Sequence, residues 1–173
     1  MKSGAELSAC RTYRYRLFRH WDAEKPPLVW VMLNPSTADE NADDPTIRKC
    51  IGFAQRWDFG GIEVVNLYAY RATDPKELKK VADPSGPGNY AAISRVAQGR
   101  TVVCGWGRNA ERGHCWRVLQ TLRDVGADVR ALKINADESP MHPLYVPYVT
   151  PLVEYPRPIV TRKQVSDDTG HNF

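Results

Sequence analysis

The longest apolar run in the chain is Leu28-Val-Trp-Val-Met-Leu33, preceded by Pro27 and cut off at Asn34-Pro35-Ser36-Thr37. Six successive apolar residues between prolines predict a strand buried on both faces, as in a parallel sheet. Pro35 cannot donate to a ladder and steers Asn34 away from helical angles, so the strand ends in a rigid polar loop. Shorter runs predict further strands over 62–66, 101–106 and 128–134. Asp44-Pro45 reads as an acid cap followed by proline at the first helical position, and opens a helix to about Trp57. Asp74-Pro75 repeats that signature. Asn89 is placed as the cap of a helix to Ala97, and another helix is expected over 108–125 with Trp116, Leu119 and Leu122 inward. The stretch 11–18 alternates arginine with aromatic or apolar groups, which predicts a half-exposed edge strand whose arginines face solvent.

Strands alternating with helices at spacings of roughly 30 residues imply right-handed crossovers. The expectation is an α/β, three-layer αβα fold with a central four-stranded parallel sheet plus an N-terminal edge strand. One domain is expected over 1–173, with its core at about 11–155 and an irregular tail over 156–173.

Composition narrows the function classes. The chain has 173 residues, 42% hydrophobic and 25% charged, ordinary for a globular domain. No run approaches membrane-spanning length and no signal-peptide core precedes the first strand, so a cytoplasmic protein is expected, without a membrane partner and monomeric. Cys10, Cys50, Cys104 and Cys115 form no C-x-x-C pair, which speaks against a zinc ribbon or a cysteine-held cluster and for free thiols. A net charge of +4 and a pI near 8.9 permit a polyanionic partner without requiring one.

The chemistry gathers at strand exits, because ligands of open α/β sheets bind at the carboxyl ends of the strands. Four such exits carry Asn34-Pro-Ser-Thr, Asn66 through Arg71, Gly105-Trp-Gly-Arg-Asn109 and His142-Pro143. Each alone is ordinary: an Asn-Pro turn, a turn asparagine, surface arginines, a structural histidine. Taken in order, every strand ends in a polar or glycine-rich signal.

In that order the exits resemble the uracil-DNA glycosylase superfamily. Leu33-Asn34-Pro35-Ser36 resembles the first motif of its mismatch-specific branch. Val64-Val-Asn66-Leu-Tyr-Ala-Tyr-Arg71 resembles the second strand, Val103-Cys-Gly-Trp-Gly-Arg-Asn-Ala110 the third-strand signal, and Met141-His142-Pro143 the last motif. The likeness covers about 28–147. The chain also looks like uncharacterised bacterial and phage proteins bearing Leu-Asn-Pro-Ser-Thr-Ala-Asp, a group that brings no activity with it. The resemblance implies hydrolysis of an N-glycosidic bond to a damaged, deaminated or modified base, in DNA rather than RNA or in a nucleotide, in repair or modification, without a cofactor or a metal. It casts Asn34 as the group that positions water, His142 as the hydrogen-bond donor to the departing base, and Asn66 as the reader of the base edge. Backbone and side chains at Ser36, Thr37, Gly107, Arg108 and Asn109, with Arg71, would meet phosphates.

The sequence departs from that pattern at informative places. Leu144 and Tyr145 follow His142-Pro143 where a serine is usual, and no aromatic lies between Leu33 and Phe53. The base-stacking role therefore passes to Tyr68 or Tyr70, beside Pro35. Acids at Asp39, Glu40, Asp43 and Asp44 stand where a DNA groove would repel them. Asp44 is assigned to capping and Asp39 is kept as a candidate base. Three readings follow: a base glycosylase; a non-catalytic module of the same fold that binds a nucleobase, nucleotide or single-stranded DNA; and a metal-dependent small-molecule enzyme using the acidic loop. The first needs His142 on the same rim as the Asn34 loop, and an imidazole on the opposite rim or a sheet of mixed topology would leave the glycosylase resemblance without footing.

Overall fold

A computed structural model describes residues 1–36, 38 and 41–157. Its strands are β1 (Lys2–Leu7), β2 (Arg14–His20), β3 (Pro27–Met32), β4 (Gly61–Asn66), β5 (Thr101–Cys104), β6 (Asp128–Ala131) and β7 (Val153–Glu154). Its α-helices are α1 (Pro45–Arg56), α2 (Asn89–Ala97) and α3 (Arg112–Asp124), joined by 3-10 turns at Pro75–Lys80 and Pro143–Tyr145. One sheet takes all seven strands in the order β1-β2-β4-β3-β5-β6-β7.

The four expected strands are its centre, and they run parallel: β4 beside β3, β3 beside β5, β5 beside β6. Antiparallel strands flank them, β1 and β2 on one side and β7 on the other. The sheet is therefore larger than four strands plus an edge, and mixed at its margins.

The run at β3 is apolar throughout because both of its faces are covered. Leu28, Trp30 and Met32 join Ile47, Cys50 and Phe53 of α1 in one core. Val29 and Val31 join Ile93 and Val96 of α2 and Val118 and Leu122 of α3 in the other. Asp44 caps α1 as expected, its carboxylate accepting from Ile47 N at 2.8 Å.

Several local expectations are corrected. The arginine-rich strand is not an edge: β1 pairs along it, and Gly4 lies so close to the Phe18 ring that a Cβ would come within 2.5 Å. Nor are its arginines all solvated. Arg14 and Arg19 are buried, and both hold the acidic loop, Arg19 through Asp43 at 2.9 Å and Arg14 through the carbonyl of Ala38. Alternation records that one face is charged; it does not record that Ala38 and Asp43, distant in sequence, meet two of the arginines.

Asn89 does not cap α2. It is the first helical residue, fully buried, and its Nδ2 donates to the carbonyls of Asn66 and Leu67 at 2.9 and 3.0 Å. α3 begins at Arg112, capped by Glu111, and Trp116 faces outward at 62% exposure. Part of the stretch after Pro147 returns to the sheet as β7, and Tyr155 packs on Trp106. Of the expected tail, 158–173 lie outside the described residues. Cys50 and Cys104 are buried free thiols, whereas Cys10 is exposed. Among the described residues no helix is long and apolar enough to cross a membrane.

Candidate functional site

The exits of β3 and β4 are stitched together before any ligand enters. Leu67 N donates to Met32 O, Tyr68 N to Leu33 O and Ala72 N to Pro35 O, at 2.9–3.0 Å. This pairing fixes Asn34. Its Nδ2 donates to Pro35 O at 3.0 Å and to Ala72 O at 2.7 Å, which uses both amide protons. The side chain therefore offers its oxygen, an acceptor, to the space beyond the sheet edge.

That space is a cavity of about 580 Å³, within the ~300–1,000 Å³ span of small-molecule sites. Asn34, Asn66 and His142 all line it, although they come from three different strand exits. Asn66 is 1% exposed and its Nδ2 has no protein partner. A buried amide left unpaired costs roughly 1–3 kcal/mol, so this position stabilises the fold less than it stabilises whatever hydrogen-bonds to it.

His142 sits at the start of the second 3-10 turn, where its Nδ1 accepts from Leu144 N at 3.3 Å. That bond makes Nδ1 the acceptor and places the ring proton on Nε2. Burial pushes the His142 pKa below 6.5, partly opposed by the charge of Asp44. Gly107 takes φ +74, a conformation that side chains rarely adopt, although a Cβ there would meet His142 Cβ only at an ordinary contact distance of 4.0 Å.

Asp44 has a second role that its cap signature hides. One carboxylate oxygen is spent on Ile47 N, but the other accepts from the Ser36 hydroxyl at 3.1 Å, and the residue lines the cavity. Buried Arg14 and Trp106 line it too, and Tyr145, 81% exposed, stands at its mouth. Sequence reasoning read Asp44 only as a cap, placed Trp106 in the third exit without a role, and left Arg14 and Tyr145 out of the site, although Tyr145 follows His142 by three residues.

Other expected site residues fall elsewhere. Ser36, Arg108 and Asn109 do line the cavity. Gly107 lines it as well, but its N–H donates to Pro140 O at 2.9 Å and is not open to a phosphate. Pro35 is buried and contributes its carbonyl to Asn34 and Ala72. Tyr68 stacks on His114 with ring centroids 4.6 Å apart and faces a neighbouring cavity. Tyr70 packs edge-on against Tyr13 and, with Arg71, borders a shallow depression that meets the main cavity at Ser36. Neither tyrosine can stack on a base in the cavity as placed. Thr37, Asp39 and Glu40 lie outside the described residues. Among those described, no three His, Cys, Asp or Glu side chains cluster as a metal site.

The histidine can be tested apart from any reaction. Its Cε1–H resonance should titrate with a midpoint below 6.5, because burial outweighs the attraction of Asp44. Asp44→Asn, which keeps a good cap, should lower that midpoint further. A midpoint above 6.5 would show a charged ring and remove the neutral-donor geometry. The linked stability has a definite sign: it is complete above the unfolded value near 6.5 and declines as pH falls toward the folded one.

No curated protein and no solved structure shows significant similarity to the chain. One family model matches residues 14–144, which run from the first residue of β2 to just past His142 and include every strand exit that builds the cavity. The chain belongs to the family described as "Protein of unknown function (DUF1643)".

Proposed function

We propose that the cavity binds a nucleobase and that the protein hydrolyses the N-glycosidic bond joining that base to its sugar. The observation that carries this reading is the meeting of three complementary groups in one cavity: the Asn34 oxygen, the unpaired Asn66 amide and the Nε2–H of His142. A planar heterocycle with a carbonyl beside a ring N–H matches an amide that offers both a donor and an acceptor. The sheet is of mixed topology, the condition that removes the footing of the superfamily resemblance, so that resemblance does not support this reading. The reading therefore rests on the cavity, which the four parallel strands build.

The chemistry follows from the groups present. Breakage of the sugar C1′–N bond passes through an oxocarbenium-like sugar. Asn34 accepts a hydrogen bond from a water and orients it toward C1′, but an amide cannot take the proton. Asp44 is the carboxylate that lines the cavity among the described residues, and it takes that proton as the C1′–O bond forms. The base leaves with the electrons of the broken bond, and His142 steadies the developing charge by donating from Nε2. The products are the free base and a sugar bearing a hydroxyl at C1′.

The test is incubation with oligonucleotides carrying assorted damaged, deaminated or modified bases, scored for abasic sites. Product is expected with at least one base, and Asn34→Ala should lose it. No product with any base, together with tight binding that survives Asn34→Ala and His142→Ala, would overturn the proposal. A related module that binds without cutting would give that result, and it is favoured by one observation: Leu144 stands where a phosphate-contacting serine is expected, and the Gly107 N–H is already engaged by Pro140 O.

A further inference from the structure

A second cavity, about 630 Å³, opens beside the first and shares Pro75, Arg108 and Asn109 with it. Its walls come from the 3-10 turn after β4 and from the residues that lead into α3. Lys76 and Lys79 project from that turn, and Tyr68 supplies an aromatic wall whose ring is backed by His114. We infer that this is an anion subsite for phosphate attached to the nucleoside whose base lies in the first cavity. This rests on the base-binding reading and names what the ligand must carry beyond the base.

The charge distribution supports it. Lys76, Lys79 and Arg108 are exposed, and among the described residues none of them forms an ion pair. Asp137 is close enough to feel the charge of Arg108 without pairing with it. The cavity also contains two carboxylates, and both are committed locally. Asp74 accepts from Lys76 N at 2.9 Å. Glu111 accepts from Gly113 N and His114 N, each at 2.7 Å, and these bonds hold its carboxyl below the ordinary range. The acids start the two helical turns, and the cations are left for a ligand. Arg108 lines both cavities, so one guanidinium stands where a ligand would pass from base to phosphate. A nucleoside alone would fill only the first cavity. Three cations beside it suit a phosphate ester, whether a free nucleoside polyphosphate or the next linkage of a single strand.

The discriminating experiment is calorimetric titration of the full chain with three probe sets. These are the nucleosides of the common bases and of the damaged, deaminated or modified bases used in the cleavage assay, their 5′-triphosphates, and random single-stranded 6-mers of DNA and of RNA. Each is run against the parent and against Lys76→Ala/Lys79→Ala, two exposed positions outside the base cavity. The triphosphates or the 6-mers should bind at least tenfold tighter than the nucleosides, and the double variant should erase that gain and leave nucleoside affinity unchanged. If the 6-mers carry the gain, the slope of log affinity against log salt should fall by about 1.4 in the variant, from two lost contacts at ~0.7 each on a single strand. If the triphosphates alone carry it, the phosphate belongs to a free nucleotide. Nucleosides that bind with no gain from phosphate, or a gain that survives in the variant, would overturn the subsite and leave the base reading intact. A lysine-dependent anion affinity with no nucleoside binding would leave an anion site at the lysines but overturn both the base reading and the subsite's link to a nucleoside. No binding of any probe would remove both.

Discussion

His142→Ala is expected to lower turnover on a cleavable base by about 10²–10³, the scale for losing one donor to a developing anion. The size follows from what the ring can and cannot do. Its Nδ1 accepts from Leu144 N, so the proton is on Nε2, and burial keeps the ring neutral at pH 7. A neutral imidazole gives a hydrogen bond and keeps its proton. It therefore lowers the barrier by stabilising the departing base, and an alanine removes all of that. Single-turnover rates isolate the effect, since substrate binding depends mainly on the Asn66 amide and the cavity walls and should change far less. Alanine also deletes the cap of a three-residue 3-10 turn, which costs about 1 kcal/mol and leaves the protein folded. A thermal melt beside the rate measurement separates the two losses. A variant within threefold of the parent would show that His142 only holds its turn, and the leaving-group argument would fall with it.

What could be read in the sequence was what is encoded locally. Leu28 to Leu33 announces a doubly covered strand because each residue needs apolar company on its own face. Asp44-Pro45 announces a helix start because the cap bond closes within four residues. The meeting of Asn34, Asn66 and His142 was legible through a general rule, that parallel strands gather their carboxyl ends at one edge. Partners supplied from far along the chain were not. Arg14 looks solvated until the Ala38 carbonyl is seen to accept from it, and Arg19 is met in the same way by Asp43. Asn89 looks like a cap until the carbonyls of Asn66 and Leu67 claim its amide. Tyr68 and Tyr70 follow Asn66 closely, but the irregular exit of β4 turns them toward His114 and Tyr13 and away from the cavity. Asp44 shows the limit most plainly: a residue with one sufficient local role gives no sequence sign of a second.

The largest stability effect is expected far from the cavity, at Glu63. This carboxylate is 2% exposed at the middle of β4, between Phe18 of β2 and Val29 of β3. A charge there needs partners, and two arginines supply them: Arg16 Nε at 2.6 Å and Arg100 Nη1 at 3.1 Å, with His20 Nε2 lying 3.2 Å away without a hydrogen bond. Arg16 also reaches Glu6 at 2.8 Å, and Glu6 reaches Arg95 of α2 at 2.6 Å, so the network ties β1, β2, β4 and α2 together. Glu63→Gln keeps the volume and removes the charge that half-buried Arg16 meets. Breaking a buried pair costs about 3–5 kcal/mol. The lower end applies here, because Arg100 and His20 are about a third exposed and can rehydrate, and Arg16 keeps Glu6. A loss of about 3 kcal/mol should appear as a melting point lower by roughly 6–12 °C for a domain of this size. Acid supplies an independent check. Burial alone would raise the Glu63 carboxyl, but Arg16 and Arg100 outweigh it and hold the group below 4.5; Glu6 is also held low, with Arg95 and Arg16 outweighing its burial. Carboxylates depressed in the folded state contribute stability that is complete above about pH 4.5 and is lost as pH falls through their folded values. The parent should therefore lose stability steeply below that pH, and Glu63→Gln should lose it less steeply, since Glu6 remains. A variant as stable as the parent, with an unchanged acid limb, would mean that Arg16 and Glu6 anchor this side of the sheet without Glu63.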